Sequence, residues 1–443
     1  SESARLEFEE NEVYGADFIE SALEDEKFAA VLQDPKARKL FYAPIVTCTV
    51  DHLMGASETA RGGKYIVPML RLLTSDLILD EPDDFNQDDL PALSRLVHLA
   101  GLFGSRILLS SATLTPDFIA GLFRAYQSGR EIYNRQQGLN QKAICCAWFD
   151  EFKQKSATCA DLEAFESAHQ QFVQQRADKL RKVSVRRKAQ IMSLPPLKKI
   201  ENQLFDVSTL AEHLVQQAIS LHNIHSEYDS VTKKQISFGL IRFANIKPMI
   251  PIAKQLFQLE MKPEWQDYQI HLCCYHSKQL LILRSTLEEK LDRILYRTDS
   301  RKIFSQPEVM AAVATSQAKH QLFIVLGSPV TEVGRDHDYD WAIVDPSSMR
   351  SIIQLAGRVW RHRPDKVAEQ PNIALLPTNW RGLAGQTGEI FKKPGFEDKQ
   401  HPLETHRTEE LIPVEQLERI DSLPRIIKRS DFRPHFCLAD LEH

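Results

Sequence analysis

Short apolar runs alternate with helix-like patterns through the first part of the chain. Within the runs consecutive residues are apolar, whereas between them apolar residues recur every three or four positions, as on one face of a helix. The pattern predicts strands at 45–50, 75–80 and 105–113. It predicts helices at 67–73, 89–103 and 116–127. This alternation is typical of a parallel sheet with helices on both faces.

The same alternation returns after residues 194–199, a proline-containing stretch that we interpret as a linker. Here the predicted strands are 236–243, 269–276, 322–327 and 341–345, and the predicted helices are 247–259, 280–295 and 349–362. From about residue 365 the chain is richer in proline, glycine and charge and loses this rhythm. We therefore predict an α/β protein with two tandem domains, 1–200 and 201–365, and a smaller accessory segment, 366–443.

Residues 150–190 break the pattern, because they are polar, helical in periodicity and rich in charge. We interpret them as a helical insertion in the first domain. Their last part carries the basic residues Lys179, Arg181, Lys182, Arg186, Arg187 and Lys188. Such a run is usually a solvated helix face, but it also suits salt-sensitive contact with a phosphate backbone. Both interpretations stay open, with a slight preference for the phosphate contact.

The composition narrows the class of protein. The 443 residues are 43% hydrophobic and 26% charged, as in an ordinary globular protein, and the formal net charge of −5 excludes a uniformly basic nucleic-acid coat. No apolar run reaches the roughly 18 residues of a membrane span, and the acidic N-terminal stretch lacks a signal-peptide core. The seven cysteines show no C-x-x-C spacing, which favours reduced thiols over a disulfide framework or a zinc site. We therefore expect a cytoplasmic protein without a membrane partner.

A cluster of carboxylates follows the apolar run Leu77–Leu79. Asp80, Glu81, Asp83 and Asp84 stand close together where a parallel strand should end. In open α/β sheets ligands bind at the carboxyl ends of the strands, so this cluster suits a cation or a water to be deprotonated. One carboxylate can hold Mg²⁺, largely through water, while another accepts a proton. Taken alone, a solvated loop with a helix cap explains the cluster better.

Hydroxyl groups end the next predicted strand, at Ser110, Ser111 and Thr113. We expect them to reach the Asp83 carboxylate in the loop of the neighbouring strand. The same stretch also predicts a helix start, with Thr115 as the cap and a proline at the first helical position.

The segment 354–363 holds the sharpest pattern, QLAGRVWRHR. On a helix that begins after Ser347 or Ser348, the spacing i, i+4 and i+7 places Gln354, Arg358 and Arg361 on one face. Two guanidinium groups and an amide on one face form an anion clamp. Gly357 costs such a helix about 1 kcal/mol, so we expect it to permit a close approach.

A loop between two predicted strands precedes that helix. It contains Thr331, Glu332, Gly334 and Asp336, a set that suits contact with phosphates or ribose. The string Asp336–Asp338 also raises a metal site, which we favour less because no second cluster with matching spacing supports it.

These strings, in this order, resemble the motifs of superfamily 2 helicases: DEPD the acidic box, SAT the third motif, VTEVGRD the fifth and QLAGRVWR the sixth. More narrowly, residues 46–56, 271–278 and 327–363 resemble the type I-F CRISPR-associated helicase–nuclease family, and the resemblance extends over about 40–365. It implies two tandem RecA-like domains, the first incomplete, and the ATP-dependent single-stranded DNA helicase or translocase portion of a protein that degrades target DNA.

The resemblance also implies roles for individual residues. Asp80 would order Mg²⁺ and Glu81 would be the general base, while Gln354, Arg358 and Arg361 would reach across the cleft between domains as arginine fingers and their partner amide. The implied nucleotide-binding and coupling residues are Asp83, Ser111, Thr113, Gly334 and Asp336. The implied nucleic-acid contacts are Thr49, Asp51, His276, Arg284 and Thr331.

One motif of the family is missing. The sequence contains no G-x-x-x-x-G-K-[ST], and the nearest string, at 61–65, has the wrong spacing and no hydroxyl after its lysine. We therefore expect the phosphate-binding loop and the HD nuclease domain, with its own divalent metal, upstream of this chain, and an isolated chain without ATPase activity.

The partners that the resemblance implies are single-stranded DNA, the CRISPR RNA-guided surveillance complex, and adaptation or anti-CRISPR proteins. Two alternatives stay open. The chain could bind single-stranded nucleic acid or a partner protein without hydrolysing ATP, or it could be a translocase or remodeller that does not unwind.

Overall fold

The computed structural model describes residues 42–443 except 55–65, 86, 199, 201–203, 261, 300–301 and 333–334. These residues form two compact units. The first comprises the described residues up to Ser111 together with 120–146 and 156–165, and the second comprises 112–119, 147–155 and 166–443. Among the described helices, none is both long and apolar enough to cross a bilayer.

A parallel pair of strands carries the acidic cluster in the first unit. Strand β1 (Leu77–Asp80) pairs with β2 (Ile107–Ser110), in a register that sets Asp80 opposite Ser110. The helices of this part are α1 (Asp51–Met54), α2 (Ile66–Thr74) and α3 (Leu90–Leu102). The apolar residues that recur at helical spacing in α3 are buried: Leu93, Leu96, Val97 and Ala100. The structure thus confirms the helix–strand alternation predicted from 67 to 113.

Residues 46–49 form no strand, in contrast to the prediction for 45–50. Apolar and β-branched residues favour a strand, but a strand also needs a neighbour to bond its backbone. Within the described residues, the β1–β2 sheet has no third strand. The Arg71 guanidinium of α2 instead donates to the carbonyl groups of Ala43, at 2.5 Å, and Pro44, at 3.3 Å.

The predicted helical insertion at 150–190 contains strands as well as a helix. After α4 (Pro116–Gln136), strand β3 (Ile144–Phe149) pairs with β4 (Gln154–Cys159), and α5 (Leu162–Leu180) and β5 (Ala189–Ile191) follow. Exposed and half-buried positions alternate along β4, and its residues are mostly short or polar, so its strand signal is weak.

A seven-stranded sheet lies in the second unit. Its order is β5-β11-β10-β7-β9-β8, with neighbours parallel, and β6 pairs antiparallel with β7. The strands not yet given are β6 (Glu227–Asp229), β7 (Lys234–Arg242), β8 (Tyr268–Tyr275), β9 (His320–Gly327), β10 (Trp341–Val344) and β11 (Ile373–Leu375).

Helices cover both faces of this sheet. They are α6 (Val207–His225), α7 (Ile246–Gln258), α8 (Leu281–Leu295), α9 (Pro307–Ala314) and α10 (Met349–Ala356). Along β7, Phe238 and Leu240 belong to a core with α8, α9 and α10, whereas Ile241 belongs to a core with α6 and α7. Side chains alternate across a strand, so a doubly covered sheet needs apolar residues at successive positions. This confirms the predicted α/β class.

The sheet extends across both predicted domain boundaries, because β5 lies before residue 200 and β11 lies after residue 365. These strands have three residues each, too few to show a period in the sequence. Short helices complete the C-terminal segment: α11 (Trp380–Leu383), α12 (Thr408–Leu411), α13 (Val414–Glu418), α14 (Leu423–Ile426) and α15 (Leu438–Leu441).

Candidate functional site

The acidic cluster begins at the last residue of β1. Asp80 is exposed, whereas Asp83 is only 4% exposed. Between them Glu81 has a left-handed backbone (φ 47°, ψ 53°), and its N–H donates to the Ser110 carbonyl at 2.7 Å. The 3₁₀ helix Pro82–Asp84 follows at once. A left-handed backbone costs a residue with a side chain about 1 kcal/mol, so this tight turn is held by its surroundings.

The Ser111 hydroxyl connects two of these carboxylates. Its oxygen lies 2.8 Å from Glu81 Oε2 and 2.8 Å from Asp83 Oδ1, so the predicted contact with Asp83 is confirmed. One hydroxyl carries one proton, and Ser111 therefore donates to one carboxylate at a time. Burial raises the pKa of Glu81, the bond from Ser111 lowers it and the neighbouring aspartates raise it, with a net shift upward. A half-buried carboxyl group of raised basicity is what a general base requires.

Thr113 belongs to the second unit and is fully buried. Its carbonyl accepts a hydrogen bond from Arg425 Nε at 3.1 Å. Helix α4 begins at Pro116, directly after Thr115, as predicted.

Helix α10 is shorter than its predicted range of 349–362. It begins after Ser348, whose hydroxyl accepts from the Ser351 N–H at 3.1 Å, so the predicted start is confirmed. It ends at Ala356. The prediction that one helical face carries Gln354, Arg358 and Arg361 is therefore wrong, because both arginines lie beyond the helix.

The chain leaves the helix because its next residues bond to another segment. The Tyr339 N–H donates to the Arg358 carbonyl at 2.8 Å, and the Trp360 N–H donates to the Tyr339 carbonyl at 3.0 Å. Trp360 has a φ of 52°, which no helix contains. Apolar periodicity continues past Ala356 only because Val359 and Trp360 are buried by this second set of contacts.

The two candidate arginines have different surroundings. Arg358 is 9% exposed, and its Nη2 donates to the Glu332 carbonyl, while its Nε and Nη1 have no hydrogen-bond partner among the described residues. Burial, and then the charge of Arg361, lower the pKa of Arg358 to about 10, which leaves it cationic at neutral pH. Arg361 is exposed and donates to the Asp336 carboxylate. Arg358 is thus the arginine with donors left for an incoming anion.

The loop after β9 packs several of its side chains inward. Thr331 is fully buried, and its hydroxyl donates to the Ser328 carbonyl at 2.9 Å, so its expected contact with nucleic acid needs a change in this loop. Gly334 lies outside the described residues. Burial raises the pKa of Asp336, but hydrogen bonds from Arg361 and His362 lower it more, so Asp336 stays ionised.

Arg242, at the end of β7, is a residue that sequence reasoning missed. It is 1% exposed, and it donates to the carboxylate of Glu332, to the Asp345 carbonyl at 2.7 Å and to the hydroxyl of Ser351. Burial raises the pKa of Glu332, and the Arg242 charge opposes this shift. Arg242 therefore ties the loop after β9 to α10. The signal in the sequence was an arginine that ends the apolar run ISFGLIR.

The basic run before β5 also contains a structural residue. Arg187 is half-buried, and it donates from Nε to the Val359 carbonyl at 3.0 Å and from Nη2 to the Gly357 carbonyl at 3.5 Å. Burial and Arg186 lower the pKa of Arg187 to about 10. The preference for phosphate contact therefore does not hold for Arg187, whose donors serve the segment that carries Arg358.

The less favoured metal site at 336–338 finds no support. His337 bonds to Asp292 Oδ1 at 2.8 Å and to the Tyr339 hydroxyl at 3.1 Å, and Asp338 accepts from Arg363. No group of three or more potential ligand side chains suited to a metal occurs in the described part of the chain. Mg²⁺ at a nucleotide needs no such group, because water and phosphate supply most of its ligands, and exposed Asp80 fits that arrangement.

The predicted nucleic-acid contacts outside the loop are spread over both units. Thr49, before α1, and Asp51, its first residue, are both exposed. His276 follows β8, and Arg284, in the first turn of α8, donates to the Ser277 carbonyl at 3.1 Å. Burial, and then the charge of Lys278, lower the pKa of His276, so this ring is neutral at pH 7.

Sequence comparison places these motifs among known proteins. A family model described as the C-terminal part of the CRISPR-associated nuclease/helicase Cas3 matches residues 235–364. The CRISPR-associated nuclease/helicase Cas3 subtype I-F/YPEST of Pseudomonas aeruginosa (strain UCBPP-PA14) is 47% identical over 431 residues, 94% of this chain and 39% of that protein. The protein of the same description from Pectobacterium atrosepticum is 41% identical over 449 residues, 100% of this chain and 40% of that protein. The chain spans about two fifths of the length of these relatives.

Among solved structures, T. fusca Cas3 with ATP is similar with a TM-score of 0.49 at 15% identity, over 75% of this chain and 33% of that chain. A likeness this distant says nothing about the ligands of this chain. The two relatives carry the assignment, because their identity of 41–47% extends over nearly the whole chain. The resemblance seen in the motifs is thereby confirmed: over the part that it spans, this chain belongs to the subtype I-F Cas3 nuclease/helicase family.

Proposed function

We propose that this chain is the ATP-dependent, single-stranded DNA helicase or translocase portion of a CRISPR interference nuclease/helicase that unwinds and helps to degrade target DNA. The observation that carries the proposal is the contact of Ser111 with Glu81 and Asp83. This contact holds in place the Glu81 carboxylate, which is the group that an ATPase needs to deprotonate water. The descriptions of both relatives, nuclease/helicases of CRISPR systems, support the same activity.

Glu81 is the general base of the proposed reaction. Its raised pKa makes it a better proton acceptor than an exposed carboxylate, and Ser111 holds one of its oxygens at 2.8 Å. The tight turn at Glu81 restricts where this carboxylate can point. Ser111 and Asp83 are positioning residues in this scheme, since Asp83 shares the same hydroxyl.

Arg358 stabilises the charge that develops on the transferred phosphoryl group. It is buried, cationic and offers Nε and Nη1, which have no partner among the described residues. Donors arranged before the reaction stabilise a transition state without reorganisation. Arg361 and Gln354 contribute to the same anion site, Arg361 after release from Asp336.

The proposed cofactors are ATP and Mg²⁺. The metal neutralises charge on the phosphates during transfer. Asp80, exposed at the end of β1, would hold it chiefly through water. Further proposed nucleotide contacts are Asp83, Thr113, Gly334 and Asp336.

Single-stranded DNA is the proposed substrate track, with contacts at Thr49, Asp51, His276, Arg284 and Thr331. The proposed partners are the CRISPR RNA-guided surveillance complex and adaptation or anti-CRISPR proteins, in the cytoplasm. A second candidate function is binding of single-stranded nucleic acid or a partner protein without hydrolysis. The absence of a G-x-x-x-x-G-K-[ST] string from this sequence favours it for the isolated chain.

The decisive experiment is Glu81→Gln in the full-length protein. Glutamine keeps an acceptor for Ser111 but cannot take a proton, so DNA-stimulated ATP turnover should fall by at least about 10²-fold while ATP still binds. Asp89→Asn is the matched control, because this exposed acid makes no side-chain cap bond at the start of α3. Turnover that survives Glu81→Gln would rule out the proposed mechanism.

The second candidate function predicts a different result. The isolated chain should then bind single-stranded DNA without any turnover, and turnover should appear only in the full-length protein. Turnover by the isolated chain would show that its nucleotide site is complete.

A further inference from the structure

Glu442, near the end of the sequence, caps the helix that precedes Arg358. Its Oε2 accepts from the Arg350 N–H at 3.0 Å, and its Oε1 accepts from the Met349 N–H. The first N–H groups of a helix lack partners within the helix, and a carboxylate there also interacts favourably with the helix dipole. Together with the Ser348 cap, Glu442 therefore fixes where α10 starts.

Arg425 joins this cap to the segment that contains Thr113. It is 2% exposed, and its Nη1 donates to Glu442 Oε2 at 2.7 Å while its Nε donates to the Thr113 carbonyl at 3.1 Å. The centre of the Phe396 ring lies 5.7 Å from the guanidinium carbon of Arg425 and 5.5 Å from that of Arg350. One buried guanidinium thus touches both the start of α10 and the residue two positions after Ser111.

Both attachments need an arginine. A lysine would neutralise Glu442, but a single ammonium on a flexible stem does not present two donors in a fixed plane. Charge balance alone therefore does not explain the choice of residue. The other donor, Nε, bonds to the backbone carbonyl of Thr113. This carbonyl lies two residues after Ser111, whose hydroxyl contacts Glu81 and Asp83.

We propose that Arg425 and Glu442 are positioning residues that couple the Ser111–Thr113 segment to α10. Because Arg242 bonds both to Ser351 of α10 and to Glu332, in the loop that carries the proposed DNA contact Thr331, this coupling transmits the state of the nucleotide to that loop. The inference rests on the proposed function. A shift of Ser111 changes the Thr113 carbonyl through two peptide units, and Arg425 passes that change to the carboxylate that fixes the start of α10. The coupling stays within the second unit from Thr113 onward.

The test is Arg425→Lys in the full-length protein, with turnover of ATP measured with and without single-stranded DNA. The ratio of stimulated to basal turnover should fall by at least about fivefold, the lower end of typical coupling between sites. The KM for ATP and the midpoint of thermal unfolding should change little, because the charge pair with Glu442 survives. Arg429→Lys is the control, since the half-buried Arg429 pairs with an exposed carboxylate, that of Asp431.

A second variant tests the same inference if Arg425→Lys does not fold. Arg425→Met with Glu442→Gln removes both buried charges together and leaves an amide oxygen to cap α10, and it should lose the same stimulation. A ratio equal to that of the unsubstituted protein in both variants would overturn the coupling and leave a purely structural ion pair. An unsubstituted protein without DNA-stimulated turnover would instead overturn the proposed function itself, together with the inference that rests on it.

Discussion

The acidic cluster and the arginine segment are built in opposite ways. The acidic cluster combines two neighbouring strand ends, and its side-chain contacts join residues 28 and 30 positions apart. The arginine segment, 358–363, is held by residues from distant parts of the sequence, including Arg187, 172 positions from Val359. A chemical motif on a strand end thus depends mainly on its neighbours, whereas a motif that follows a helix depends on the whole unit.

The two regions also handle charge differently. Burial raises the pKa of Glu81, and the neighbouring like charges raise it further. In the arginine segment, Arg363 is buried against opposite charges, with donor distances of 2.6 and 3.0 Å to Asp338 and of 2.6 Å to Asp340. Burial and repulsion together raise the basicity of the first region, whereas in the second region opposite charges compensate one another.

The largest expected effect is the loss of that compensation. Arg363→Met should destabilise the second unit by about 3–5 kcal/mol, because it leaves the fully buried carboxylates of Asp338 and Asp340 undercompensated. Urea unfolding followed by tryptophan fluorescence measures it, since Trp341 and Trp360 are buried in this unit.

The control is Arg361→Met, two positions away in the same segment. The Arg361–Asp336 pair has side chains 41% and 53% exposed, so its loss should change stability by no more than about 1 kcal/mol. Equal destabilisation by both substitutions would contradict the contrast between a buried network and a surface pair.

The second prediction separates the two candidate arginines by activity. In the full-length protein, Arg358→Lys should lower kcat for ATP hydrolysis by about 10²-fold with KM nearly unchanged, because it removes fixed donors that act in the transition state. Arg361→Lys should cost about tenfold or less, since Arg361 already bonds to Asp336. Steady-state turnover over a range of ATP concentrations gives kcat and KM for both variants, and a larger loss of kcat for Arg361→Lys would reverse their roles.

The contrast between the acidic cluster and the arginine segment explains which features could be predicted from the sequence. Periodicity placed β1, β2 and β7–β10 because their apolar runs respond to burial, and parallel topology then brought Ser111 to Asp83. The end of α10 could not be predicted, because the residues that stop it, Tyr339 and Arg187, belong to other segments.

The sequence analysis also failed to identify the arginines that bond within the structure, because their partners belong to distant segments. Arg242, Arg187 and Arg425 each look like surface residues in the sequence, and only their distant partners show that they are structural. The spacing of hydrophobic residues in the sequence does not show which positively charged side chain will pair with a buried carboxylate.

The smallest expected effect tests the cost of keeping a half-buried charge at Glu81 beside the aspartates of the acidic cluster. The pKa of Glu81 is raised in the folded protein, so the folded state holds this proton more tightly than the unfolded chain does. Stability is therefore lost as the pH rises through the pKa of the folded state. Glu81→Gln removes the charge and should stabilise the protein at pH 7 by about 0.5 kcal/mol. A gain of this size is typical when a residue that serves function at the expense of stability is replaced.

The pH dependence of that gain identifies its cause. Near pH 4 Glu81 is largely protonated in both states, so glutamine and glutamic acid should give nearly equal stability there, whereas Asp89→Asn should show no such difference between the two pH values. Urea unfolding at both pH values, followed by circular dichroism, measures the change. A gain of the same size at pH 4 would assign it to packing or hydrogen bonding. A gain that appears only at neutral pH would mean that this protein gives up stability at Glu81 to keep a base of raised pKa, whereas Arg363 compensates the carboxylates that are buried around it.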